Sequence, residues 1–209
     1  MKKVATVFIV GFIILISNES IAQGNSIVKA LDDFLSKLYF PSEFGMNYPI
    51  NNNHLKYGVL FTTGIEFRFK PDKGIFLRFN YDNLSNSYQI DENSQTNALK
   101  SRIKTDLIML GAGYRFGKTK IKYHVMLQLG RNQSQYPVVH GIGPNSYHVT
   151  FGSVYSFATK VGLGLEYYVS NEFIITIEPQ YLYMPGESIF WEENYNNFGV
   201  KLGFSALLF

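Results

Sequence analysis

From Ser156 to Phe209 the chain alternates apolar residues with small or polar ones, and this period of two constrains the fold more than any other feature. Val161, Leu163, Leu165, Tyr167 and Val169 oppose Lys160, Gly162, Gly164, Glu166 and Tyr168. Only an extended strand turns such spacing into two faces. Ser170-Asn171-Glu172 interrupts the pattern. It resumes at Phe173, Ile175 and Ile177, and returns with Phe198, Val200, Leu202 and Phe204. The order is strand, tight turn, strand, long loop, closing strand.

The same pattern runs upstream. Tyr57, Val59, Phe61, Ile65, Phe67 and Phe69 oppose Lys56, Gly58, Leu60, Gly64, Glu66 and Arg68. Lys70-Pro71-Asp72-Lys73-Gly74 then supplies turn chemistry, since Pro presets φ and Gly accepts positive φ. Further alternating runs follow at residues 75–82, 107–116 and 121–129. The connections alternate in length: short at 70–74, 117–119 and 170–172, long at 85–101, 131–145 and 184–196. Tight turns at one end and long loops at the other are the pattern of a transmembrane barrel, which in bacteria has an even strand count. Seven strands are plain. Parity places the eighth at residues 41–50, where Phe44, Met46, Tyr48 and Ile50 alternate with Gly45, Asn47 and Pro49.

Aromatic content supports the membrane version of this sheet. The chain has 15 Tyr, 18 Phe and 18 Gly, which suits an apolar outer face, a small or polar inner face and rings at both interfaces. A soluble sandwich needs the opposite exposure. No stretch after residue 22 approaches the roughly 18 consecutive apolar residues that mark a membrane-spanning helix. The expected fold is all-β: an eight-stranded antiparallel transmembrane β-barrel over residues 41–209, preceded by a short N-terminal amphipathic helix.

The N-terminus sets the expected compartment. Lys2-Lys3, the apolar run Val4 to Ile16 and the small residues around Ser20-Ile21-Ala22 read as a signal peptide over residues 1–22. Export with a barrel pattern implies the cell outer membrane, with its lipid as the first partner. Residues 23–40 form a lead and a helix, with Ile27, Leu31, Phe34, Leu35 and Leu38 at helical spacing. Such a helix either covers the periplasmic end of the barrel or lies in the membrane interface. Its polar face is poor in Lys and Arg, which favours the cover. A net charge of +3 gives no reason to expect nucleic acid. Absence of cysteine excludes disulfides and thiolate metal sites.

Gly111-Ala112-Gly113-Tyr114-Arg115-Phe116-Gly117, Gly162-Leu163-Gly164-Leu165-Glu166-Tyr167 and Gly199-Val200-Lys201-Leu202-Gly203-Phe204 resemble the small PorT-like and OmpA/OmpX-type outer-membrane β-barrel proteins. That resemblance implies an architecture rather than an activity. It also implies a terminal aromatic read by the barrel-assembly machinery, the place that Phe209 occupies, and it admits an accessory subunit of a secretion or motility complex. Leu207 and Phe209 fall out of phase with Phe198 to Phe204, so either a bulge near the end or departure from the sheet is expected.

The residues with chemical potential lie mostly on the inward face: Glu66, Arg68, Arg78, Arg115, Lys122, His124, Lys160, Glu166, Glu178 and Lys201. Inside an eight-stranded barrel, just wide enough for side chains, such charges are expected to pair as a lumen network rather than line a channel. His124 and His148 are the candidate bases for a lipid-modifying barrel enzyme, a hydrolase or acyltransferase, which needs a nucleophile and an orienting acid besides. No acidic stretch has the spacing of a calcium loop, and no cofactor or metal is expected. Tyr81, Tyr155, Tyr181, Tyr183, Phe190, Trp191 and Tyr195 gather toward the outer strand ends and the last loop, where most are expected to form an interfacial girdle; Phe190 and Trp191 are candidate loop anchors for a protein or glycan ligand. The function these features favour is a non-catalytic outer-membrane barrel, structural or adhesive, that works through its long outer loops.

Overall fold

The computed structural model describes residues 24–50, 55–70, 73–88, 101–117, 120–143, 146–185 and 194–208. The proposed signal peptide, Phe190, Trp191 and Phe209 lie outside the described residues. Among the described residues a helix, α1 (Gly24–Leu35), leads into eight strands: β1 (Leu38–Ile50), β2 (Leu55–Arg68), β3 (Gly74–Tyr88), β4 (Ser101–Phe116), β5 (Ile121–Gly143), β6 (Ser146–Tyr168), β7 (Phe173–Pro185) and β8 (Asn194–Leu207). Each pairs antiparallel with its sequence neighbours, and β1 closes the barrel on β8. Gly74, at φ 103°, sits in the first tight turn, as the turn chemistry requires.

The register fixes how the strands lean. Starting from Tyr39, the pairs run through Glu66, Arg78, Gly111, Gln128, Lys160, Leu182 and Asn197 and return to β1 at Pro49, ten residues beyond the start. This stagger is the shear of a closed barrel with strongly tilted strands. A side chain therefore meets lumen partners from strands that are not its neighbours.

Alternation sorts every strand into two faces. Outward rows such as Val125, Leu127 and Leu129 on β5, or Val161, Leu163 and Leu165 on β6, are exposed and apolar, while the residues between them are buried. Among the described residues the outward rows carry charge only at their ends. Arg102, Lys104, Asp106 and Arg131 mark the loop side; Lys70, Lys73, Lys120 and Glu172 mark the tight turns. An uncharged apolar belt around a closed sheet is a surface that lipid solvates and water does not.

Several expectations need correction. β1 begins at Leu38 rather than 41. Pro41 sits inside it with a partner on β8, Ser205, while the ladder to β2 passes from Tyr39 to Ser42, so the missing N–H falls where no β2 bond is made. The long loop expected at 131–145 is instead a hairpin. β5 and β6 keep register from Ile121↔Tyr167 to Gly141↔Tyr147, with one irregularity before the last pair, Gly143↔Ser146. Its lower part still alternates, Asn132 and Ser134 buried and Gln135 exposed, but both sets are polar and the period carries no hydropathy contrast. β3 and β7 likewise take the first residues of their expected loops.

The C-terminal phase problem also resolves differently. β8 pairs without register shift on both sides down to Ala206 and Leu207. Leu207 keeps the inward phase and packs against Tyr39, Tyr168 and Ile174, so there is neither a bulge nor a departure from the sheet before it.

Candidate functional site

The lumen is built in layers. At its tight-turn end Tyr39, Tyr168, Ile174 and Leu207 form a small apolar floor. Two cations seal it by lying on rings: the Arg68 guanidinium 3.7 Å above Tyr39 and the Lys122 ammonium 3.9 Å from Tyr168. Above the floor is a charged layer centred on Glu66. Its Oε1 accepts from Arg68 Nε at 2.5 Å and Arg115 Nη2 at 2.7 Å, and its Oε2 from Arg78 Nε at 2.7 Å. Arg115 also grips Glu166, Nε to Oε2 at 2.7 Å and Nη2 to Oε1 at 2.8 Å, in the two-point geometry that guanidinium and carboxylate favour.

Glu178 carries the layer to the far wall. It accepts from Arg78 Nη1 at 2.8 Å and lies 2.8 Å from Lys201 Nζ, which in turn sits 2.6 Å from Glu43. Lys160 pairs with Asp82. All these charges are buried. A buried charge is tolerable only when paired and hydrogen-bonded; each of these charges has an ion-pair partner, while both Glu43 oxygens, Glu178 Oε1, Asp82 Oδ1 and Arg68 Nη2 lack a hydrogen bond among the described residues.

His124 is the bridging member. Nδ1 lies 2.9 Å from Glu166 Oε1 and Nε2 3.0 Å from Glu178 Oε2, while the ring meets Phe76 edge-on at 5.5 Å. An ionised carboxylate accepts and does not donate. Two such partners commit both ring nitrogens as donors, so the geometry is that of an imidazolium strut, not of a base facing a hydroxyl. Local sequence makes the room: a Cβ at Gly164 would lie 1.9 Å from His124 Cε1. The side chain of the other candidate base, His148, lies outside the described residues.

Between the charged layer and the loop end lie polar side chains with open valences. Both amide atoms of Gln180, and the carbonyl oxygens of Asn47, Asn80 and Asn197, have no hydrogen-bond partner among the described residues although all four side chains are buried. Buried groups of this kind are places for ordered water. Above them an apolar cluster that includes Leu60, Leu84, Leu107, Ala158, Leu182 and Met184 fills the lumen toward the loop end. Tyr195, expected in an interfacial girdle, belongs to this cluster and lies 3% exposed. The barrel is thus polar in its middle and closed by hydrocarbon above.

The ten charged residues expected to face inward are all buried. Sequence reasoning missed Glu43 and Asp82. Asp82 stands in the same row as Arg78 and Asn80, a signal that was available. Glu43 stands in phase with Asn47, in the strand whose pattern is weakest.

The second candidate site is the outer part of the β5–β6 hairpin. β4 accompanies β5 only to Lys104↔Gln135, and β7 accompanies β6 only to Thr159↔Tyr183. Where the β7 ladder stops, a side chain takes over. Asn132 Oδ1 accepts from Ser156 N at 2.7 Å and Ser156 Oγ at 3.0 Å, and its Nδ2 donates to Met184 Sδ. Beyond that clasp the β6 edge from Phe151 to Tyr155 has no strand beside it among the described residues, and the exposed rings of Phe151 and Tyr155 flank it. From Ser146 to Ala158 there is no charge and no proline, the devices that ordinarily blunt an open sheet edge.

No protein-family model matches the chain, and no curated protein sequence does. Among solved structures, the crystal structure of Neisserial surface protein A (NspA) is similar over 83% of this chain and 98% of its own, with 15% identity and a TM-score of 0.58. The outer membrane protein OprG from Pseudomonas aeruginosa is similar over 81% of this chain and 94% of its own, with 10% identity and a TM-score of 0.49. For Ail, the attachment invasion locus protein of Yersinia pestis, the figures are 81%, 99%, 11% and 0.47. What this chain shares with NspA is the fold, a small closed eight-stranded outer-membrane barrel.

Proposed function

We propose that this protein is an outer-membrane barrel that performs no chemistry, conducts nothing, and holds the β5–β6 hairpin out from the membrane as a recognition element. The hairpin takes an extended polypeptide strand of a partner along its β6 edge. The observation that carries this reading is the length mismatch: β5 and β6 each run 23 residues while β7 has 13 and β4 has 16. The excess leaves an uncharged, proline-free edge exposed above a rigid, internally cross-linked base. Main-chain hydrogen bonds to such an edge give affinity, and alternate side chains such as Phe151 and Tyr155 give specificity. The uncharged belt, with the export signal expected from the sequence, supports residence in the outer membrane.

A photo-crosslinking side chain at Ser153, in intact cells, tests the reading. It is expected to yield a discrete protein adduct that Val154→Pro abolishes while the folded barrel persists. An adduct pattern unchanged by Val154→Pro, or no adduct at all, contradicts it. An adduct with an envelope protein would make the barrel an accessory subunit; one with a protein from outside the cell would make it an adhesin.

A further inference from the structure

We infer that α1 is an interfacial helix, resting its apolar side on the phospholipid leaflet at the tight-turn end of the barrel. Phe34 stacks on Phe67 with ring centroids 5.3 Å apart, and Phe67 meets Phe69 edge-on at 5.1 Å. Phe67 belongs to the outward row of β2, with Ile65, the row that forms part of the apolar belt, and Phe69 continues that row one residue past the strand's end. The helix therefore packs on the outer wall of the barrel. The floor of the lumen is already made by Tyr39, Tyr168, Ile174 and Leu207, so the cover expected from the sequence is supplied by the strands themselves.

The attachment is short and fixed. Ser36 N donates to Asp32 O at 2.9 Å and Lys37 N to Phe34 O at 3.1 Å, ending the helix; the Lys37 carbonyl then accepts from Arg68 N at 2.9 Å, at the rim of β2. Leu31, one turn before Phe34 on the same side, is 40% exposed. On the opposite side Asp32 and Asp33 are exposed, with Asp33 paired to Lys37 at 2.5 Å. The exposed apolar side is thus continuous, through Phe34 and Phe67, with the lipid-facing belt, and that continuity names its occupant. Lys29 and Lys37 balance Asp32 and Asp33. Insertion then rests on apolar area rather than on attraction to anionic lipid.

This inference rests on the membrane reading of the barrel, and the experiment separates the two. The chain has no cysteine, so Leu31→Cys, Leu127→Cys in the belt and Asn171→Cys in an exposed turn each accept one environment-sensitive fluorophore. The full-length protein is reconstituted into phosphatidylcholine vesicles brominated near the headgroup end or near the methyl end of the acyl chains. The label at 31 is expected to lose about half its emission to the shallow bromines and little to the deep ones, as an interfacial helix requires. The label at 127 is expected to be quenched in either lipid, and the label at 171 in neither. Equimolar phosphatidylglycerol should leave the result at 31 unchanged. A label at 31 that no bromolipid quenches, or that responds only to deep bromines or only to anionic vesicles, overturns the inference while the quenched label at 127 keeps the barrel in the membrane. An unquenched label at 127 overturns both.

Discussion

Arg115 on β4 donates to Glu66 on β2 at 2.7 Å, reaching over the intervening strand β3. The bond is a tie across the lumen rather than along a ladder, and Glu66 receives two more guanidiniums besides. Glu66→Ala leaves Arg68, Arg78 and Arg115 buried without their common acceptor. The expected loss is about 3–5 kcal/mol of stability, the scale for breaking one side of a buried ion pair. It would appear as a lower temperature for the loss of the compact band in a gel series heated before loading. An unchanged temperature would mean that the guanidiniums are satisfied by water.

Gly164 and His124 define a second prediction. The ring is held from both sides by Glu166 and Glu178 and cannot swing away freely, so Gly164→Ala forces the wall or the ring to move. Overpacking of this kind costs about 1–3 kcal/mol. The same heated-gel series should show it, with Ala112→Gly, on the outward row, as a nearly silent control.

The strut geometry of His124 has a spectroscopic signature. In nitrogen-15-labelled protein both ring nitrogens of His124 should resonate as protonated nitrogens at neutral pH. A resonance typical of a bare ring nitrogen would show that one carboxylate contact is not made.

The apolar cluster around Leu60, Leu107 and Leu182 closes the lumen independently of the ion network. The wild-type protein should pass no current in a planar bilayer, and Glu66→Ala should pass none either. A combined Leu60→Ser, Leu107→Ser and Leu182→Ser variant, which wets the seal, is the one expected to show small openings. Conductance in the wild type would place water along the whole axis.

The strands were legible because lipid outside and polar groups inside give a period of two with strong contrast. Where the contrast fades, so does legibility. Asn132 to Gln135 alternate in the structure, yet every one is polar, and the upper hairpin reads from sequence as a loop. Tyr195 shows the opposite error. Its ring suggests an interface, but it stands in phase with Asn197, Gly199 and Lys201, and that phase turns it into the lumen, where its hydroxyl lies 3.2 Å from Asn86 Oδ1. Phase was the better guide than residue type. Of the contacts within the lumen, only that of His124 with an inward carboxylate such as Glu166 or Glu178 was legible. The contact of Arg115 with Glu66 depends on the stagger accumulated from strand to strand, which alternation along any single strand does not contain.

A closed membrane barrel with an internally cross-linked lumen resists detergent until it is boiled, so gel migration of outer-membrane extracts with and without boiling is decisive. A compact, faster-migrating band is expected before boiling, converting to the full-length position afterwards. The same position in both samples, with the protein recovered from the soluble fraction, would contradict it.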